Sequence, residues 1–160
     1  MLKWLWLSVL VVVLDQATKI VASQTLEMHQ PVPVFPGFNF TLMHNPGAAF
    51  SFLSEAGGWQ RWFFTVIAIV VSGVIFFWIK KLSVAERLQA IALAMVLGGA
   101  LGNVIDRILY GYVVDFIQWY YETWYWPAFN IADSAISVGV TLLIVDALRS
   151  SKKNQIKEQL

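Results

Sequence analysis

The sequence contains no cysteine, which excludes disulfides, thiol catalysis and thiolate metal sites. Its two histidines, His29 and His44, cannot form a zinc site alone. HExxH, Walker and GxGxxG signatures are also missing, so zinc-protease and nucleotide-driven readings lose support. No metal or cofactor is expected. Charge is scarce as well: Asp, Glu, Lys and Arg make up 13% of the 160 residues, with a net charge of +1. The basic residues form no patch or stripe that would neutralise phosphates, so a nucleic-acid partner is not expected. No internal repeat or low-complexity segment stands out, and one domain over 1–160 is expected.

The chain is instead 58% hydrophobic, with a mean hydropathy of +0.64 and apolar runs long enough to cross a bilayer. The runs predict a membrane α-helical fold with four transmembrane helices over about 2–22, 62–79, 88–106 and 132–148. The first run resembles a cleaved signal sequence, but Asp15 and Lys19 interrupt it where a cleavage region would sit, and a retained helix is expected. Between the spans lie segments 23–60 and 108–131, and 149–160 forms a polar tail.

In 23–60, Pro31, Pro33 and Pro36 exclude a continuous helix. Phe38 to His44 alternates as a strand, and Asn45-Pro-Gly47 is a turn before a second apolar run, Ala48 to Leu53. A small hairpin or sheet on the membrane face is expected between helices 1 and 2. Trp119, Tyr120, Tyr121, Trp124, Tyr125 and Trp126 have the composition of an aromatic belt, read as an interfacial anchor in preference to a substrate gate. With four spans, Lys3, Lys80, Lys81, Arg87, Arg149, Lys152, Lys153 and Lys157 fall on one side. The positive-inside rule then places both termini in the cytoplasm and the two long segments outside.

That orientation gathers the few polar residues into one outer layer. The stretches 98–107, 113–116 and 129–133 alone hold two Asn, three Asp and an Arg, and ionisable groups at the edge of a span are functional by default. Gly99, Asn103, Asp106 and Arg107 follow one helical face, and Gly98, Gly99 and Gly102 admit a close neighbouring helix. Asp115 and Asp133 read as carboxylates that share a proton, one acid and one base, able to activate water against an amide. The competing reading of Asp133 is a helix cap. Asp106 and Arg107 read either as an interfacial ion pair or, for Arg107 with Asn103, as groups fixing the carboxylates or the substrate backbone. Asp15 and Lys19 read as an i, i+4 pair, with a lipid headgroup or the Asp115/Asp133 pair as a further contact for Lys19. A proton-coupled transporter and a scaffold dimerising through its glycines remain as alternatives at this point.

Taken together, Asp15-Gln-Ala-Thr-Lys19, Asn45-Pro-Gly-Ala-Ala-Phe50, Gly99-Ala-Leu-Gly-Asn-Val-Ile-Asp-Arg107, Val114-Asp-Phe116 and Phe129-Asn-Ile-Ala-Asp133 resemble the ordered blocks of the bacterial lipoprotein signal peptidase family, signal peptidase II. The resemblance implies an aspartic endopeptidase of the bacterial inner membrane, with a periplasmic site and a small periplasmic β-sheet platform. It would cut a prolipoprotein before a cysteine carrying diacylglyceryl. Asp115 and Asp133 would form the dyad. Asp15, Lys19, Asn45, Gly99, Asn103, Arg107 and Asn130 would support it or bind substrate, and Asp106 would be structural. The implied partners are diacylglyceryl-prolipoproteins, membrane lipids and the cyclic peptide inhibitor globomycin, and the expected state is a monomer without cofactor.

Overall fold

A computed structural model describes residues 1–47 and 58–158, the last eight of these by backbone alone. Four helices are long and apolar enough to cross a membrane. They are α1 (Leu5–Thr25), α2 (Trp59–Lys81), α3 (Arg87–Leu109) and α4 (Ile131–Glu158). A 3₁₀ turn, Leu2–Trp4, precedes α1, and α4 runs on through most of the stretch expected as a polar tail.

More than half of the α3 span is buried, against less than a third of any other, so α3 is the hub of the bundle. Its glycines explain why. A Cβ on Gly98 would lie 2.8 Å from the Ser8 carbonyl oxygen, and one on Gly99 would collide with the Ala132 carbonyl. The chain therefore uses its small-residue stripe to bring α1 and α4 against α3. Glycines expected to suit a dimer seam are occupied internally. The α1 face that meets α3 is a single helical stripe of Ser8, Val11, Asp15, Lys19 and Ala22. Ser8 Oγ donates to the Ala94 carbonyl at 2.6 Å. At the end that holds both chain termini, Ile75, Ile79, Leu82, Ala90, Leu93, Ala94 and Leu97 form a closed apolar core. The buried members of that cluster are apolar throughout, which removes support from the transporter reading.

The opposite end carries an antiparallel sheet of order β1-β2-β3-β4. Its strands are β1 (Pro31–Phe35), β2 (Phe38–Asn45), β3 (Val113–Tyr121) and β4 (Trp124–Tyr125). Only its first half comes from between α1 and α2; β3 and β4 come from the segment read from sequence as an aromatic belt. Pro31 and Pro33 are tolerated because β1 is an edge strand, where a missing N–H breaks no inner ladder. β2 pairs with β1 on one side and β3 on the other. The expected return arm, Ala48 to Leu53, lies outside the described residues. Trp119, Tyr121, Trp124, Tyr125 and Trp126 remain exposed, as an interfacial anchor would be.

Candidate active site

The polar residues converge where the sheet meets the helices, in two linked groups. The first centres on Lys19, which is only 3% exposed. Its ammonium bridges Asp15 at 2.8 Å and Asp106 at 2.9 Å and donates to Asn103 Oδ1 at 3.0 Å. Asp15 also accepts from the Ala132 N–H at 2.9 Å. Asp106 accepts from the Val114 N–H at 3.0 Å and from Gln16 Nε2 at 2.8 Å. These bonds tie α1, α3, α4 and β3 to one buried cation.

Two expectations are corrected here. Among the described residues Lys19 forms its ion pairs with Asp15 and Asp106, and none with Asp115 or Asp133. Asp106 and Arg107 do not pair with each other: among the described residues, the ion pairs are those of Lys19. Adjacent helical residues diverge by about 100°, so Asp106 faces α1 while Arg107 faces the other way. Arg107 donates to the Gly47 carbonyl at 3.1 Å and the Asn103 carbonyl at 3.4 Å.

The second group holds Asp115 and Asp133. β3 presents Asp115 opposite Met43, beside Asn45 at the end of β2. Asp133 stands at the third position of α4, and the cap of that helix is Asn130: its Oδ1 accepts from the Asp133 N–H at 2.9 Å. The capping role expected for Asp133 is thus filled by Asn130, and the Asp133 carboxyl turns to Asn103, whose Nδ2 donates to Oδ1 at 2.8 Å. Asp115 accepts from Asn130 Nδ2 at 2.8 Å and from Asn45 Nδ2 at 3.2 Å. Burial, reinforced by the facing Asp133 charge, pushes the Asp115 carboxyl up to about 7, against the pull of the Asn45 amide, Lys19 and the Asn130 amide.

Both carboxyls line one cavity of about 580 Å³, together with Asn45, Asn103, Arg107, the Trp126–Phe129 strip and the α4 residues Ser134, Ile136, Ser137 and Val138. Polar around the carboxyls and apolar along Trp126–Phe129 and α4, it suits an extended chain with aliphatic parts. A second cavity of about 500 Å³ lies behind β2 and β3, with Lys19, Asp106, His44 and Tyr112 in its wall. It contains neither Asp115 nor Asp133, and the carboxyl it does contain is committed to Lys19. Among the described residues, no cluster of His, Cys, Asp and Glu could hold a metal ion.

Sequence reasoning singled out neither Gln16 nor Arg61. Gln16 Nε2 spans Asp106, Gly102 and Asp15. Arg61 reaches from α2 to the end of α3, donating to the carbonyls of Arg107 at 2.6 Å and Ile108 at 2.8 Å. A cation at a helix C-terminus is favourable there. Its signal was available: an arginine at the sheet end of a span, against the charge bias of the loops.

The sequence profile described as signal peptidase (SPase) II matches residues 7–149. The lipoprotein signal peptidase of Alteromonas mediterranea is 53% identical over 152 residues, covering 95% of this chain and 84% of that protein. The one from Teredinibacter turnerae is 57% identical over 151 residues, covering 94% of this chain and 90% of that protein. A bacterial membrane enzyme solved at 2.3 Å superimposes with a TM-score of 0.85 at 34% identity, covering 94% of this chain and 90% of the other. A second, solved at 1.9 Å, gives 0.78 at 35% identity, covering 91% and 92%.

Proposed function

The chain belongs to the signal peptidase II family, and on that premise we propose that it cleaves diacylglyceryl-modified prolipoproteins just before the lipidated cysteine, using Asp115 and Asp133 as its dyad. It is an aspartic peptidase with several membrane spans, and removal of lipoprotein signal peptides is the activity of its family. The observation that carries the finer reading is the shared cavity lined by both carboxyls, whose side-chain hydrogen-bond donors among the described residues are neutral amides.

In this reading the whole chain acts as one domain in the bacterial inner membrane, with both termini cytoplasmic and the sheet and site periplasmic. The location is physically apt. A substrate held by acyl chains and a hydrophobic signal helix presents its scissile amide at the interface, so the membrane itself supplies proximity and orientation. Water reaches the dyad because the polar layer sits at the edge of the bilayer. A single copy contains every group named, so a monomer suffices, and no cofactor is required.

Arg107 and Asn103 hold the rim of the cavity, Gly99 admits α4 so that Asp133 can reach it, and the Lys19 group fixes the frame. The test is incubation of purified protein with a diacylglyceryl-modified precursor, followed by mass analysis. The expected product begins at the lipidated cysteine, and globomycin blocks its formation. Asp115→Asn and Asp133→Asn each lower the rate by about a thousandfold or more while the protein still inserts. A cut elsewhere, or full activity in either variant, overturns the reading.

A further inference from the structure

Three of the eleven lysines and arginines lie at the sheet end of the bundle, against the charge bias of the loops: Lys19, Arg107 and Arg61. Lys19 holds Asp15 and Asp106, and Arg107 lines the dyad cavity. Arg61 does neither. Among the described residues it forms no ion pair, and it is not in the wall of that cavity. It also stands in the first turn of α2, where the helix dipole disfavours a cation. What it gains lies on α3.

Its guanidinium grips the last turn of α3 at two points. Nε donates to the Arg107 carbonyl at 2.6 Å and Nη2 to the Ile108 carbonyl at 2.8 Å. The Arg107 carbonyl also accepts the Gly111 N–H, at 3.2 Å. Gly111 turns the chain with a φ of +89°, and a Cβ there would lie 3.4 Å from Arg61 Nη1, so the guanidinium is packed against this turn. Only residues 110–112 separate α3 from β3. The turn thus has a tie on each side: the Asp106 carboxylate accepts the Val114 N–H at 3.0 Å, and Arg61 holds the helix end from α2. Arg107 lies just before this turn and Asp115 just after it, and both line the dyad cavity.

We infer, granting the dyad reading above, that Arg61 is a positioning residue for cleavage: its two-point grip fixes the turn at 110–112 and, through it, the places of Arg107 and Asp115. It touches neither the substrate nor the reacting atoms. A charge alone would satisfy the dipole of α3, but holding two successive carbonyls calls for a planar fork, which arginine has and lysine lacks. Release of the grip lets the strand that carries Asp115 shift against Asp133 on α4, and a displacement of about 1 Å at reacting groups costs about a hundredfold in rate. The apolar wall of the cavity comes from the Trp126–Phe129 strip and α4, so turnover suffers more than binding.

The test measures kcat and KM separately on a diacylglyceryl-modified precursor, below the unfolding midpoint of each full-length protein, together with amide hydrogen exchange across 108–114. Arg61→Met keeps an apolar stem and removes the fork. Its kcat falls about 10- to 100-fold, its KM changes far less, and exchange at Gly111 and Val114 quickens. Arg61→Lys returns the charge to the end of α3 and restores the midpoint that Arg61→Met loses, but recovers kcat only in part. This second variant carries the test if Arg61→Met does not fold. A merely structural arginine would lower the midpoint and leave kcat of the folded protein unchanged, and that result overturns the inference. So does Arg61→Lys with the parent's kcat, which would reduce the role to charge, and so does unchanged exchange across 108–114. The proposed function fails separately, if the parent cuts elsewhere or Asp115→Asn retains cleavage. Exchange is read without substrate and decides the grip in either case.

Discussion

Two pairs of carboxylates occupy the same polar layer, and they are partnered by different chemistry. Asp15 and Asp106 clamp a buried ammonium and accept from backbone N–H groups. Asp115 and Asp133 are served by asparagine amides and, among the described residues, by no cation within bonding distance. The two salt bridges to one ammonium join α1 to α3, so the first pair is spent on holding helices together. An amide N–H can donate to a carboxylate or to the carbonyl of a carboxylic acid, so the second pair can exchange a proton without losing its partners. One pair is suited to fixing helices and the other to chemistry, although Asp115 is as buried as Asp15 and Asp106 and only Asp133 is part-exposed.

The sharpest way to break this contrast is to remove the cation. Lys19→Met leaves Asp15 and Asp106 buried without compensation, and loss of one partner from a buried pair costs about 3–5 kcal/mol. The unfolding midpoint in detergent should fall strongly, and adding Asp106→Asn should restore part of the loss. A midpoint unchanged in Lys19→Met would mean that the Lys19 salt bridges do not hold the bundle together.

A smaller effect sharpens the other side. The folded-state value of Asp115, about 7, lies above its ordinary value of 3.8. The folded protein therefore holds this proton more tightly than the unfolded chain does. The associated stability is complete below about pH 4 and is lost as pH rises through about 7, by on the order of a few kcal/mol. Asp115→Asn cannot ionise, so its stability relative to the parent should rise between about pH 4 and about pH 7 and level off above that. Thermal unfolding of both proteins across that range checks the sign, and a constant difference would refute it.

How legible these regions were depended on the kind of signal. The four helices could be read because apolar runs of that length have few other uses. The convergence of Asp15, Asn103, Asp106 and Asp133 followed from topology alone, since each falls at the same end of its span, and Asp115 lies in the segment that joins two of those ends. The division of labour between the carboxylates did not follow, because it rests on contacts between elements. Spacing cannot say that Asn130 caps α4 and so releases Asp133, or that Lys19 meets Asp106 from another helix. β3 was hidden because Val113, Val114, Asp115 and Phe116 are all buried. With both faces covered, the alternation that marks a strand is erased. The split between Asp106 and Arg107 could have been read, since neighbours on a helix point to different sides.

The mildest test concerns how closely the first pair is built into the packing of α3. A Cβ on Gly102 would lie 2.6 Å from Asp15 Oδ2, whereas one on Gly73, on the α2 face turned away from the bundle, meets nothing within 4 Å. Asp15 cannot retreat, because Lys19 and the Ala132 N–H hold its two oxygens. Gly102→Ala should therefore destabilise by about 1–3 kcal/mol through overpacking. The same change at Gly73 should be neutral or stabilise by up to about 1 kcal/mol, since alanine is the better helix former. Unfolding midpoints of the two proteins compare one chemical change in two surroundings. Equal shifts would show that the Asp15 carboxylate can move aside, and the rigid frame assigned to the Lys19 group would then fail.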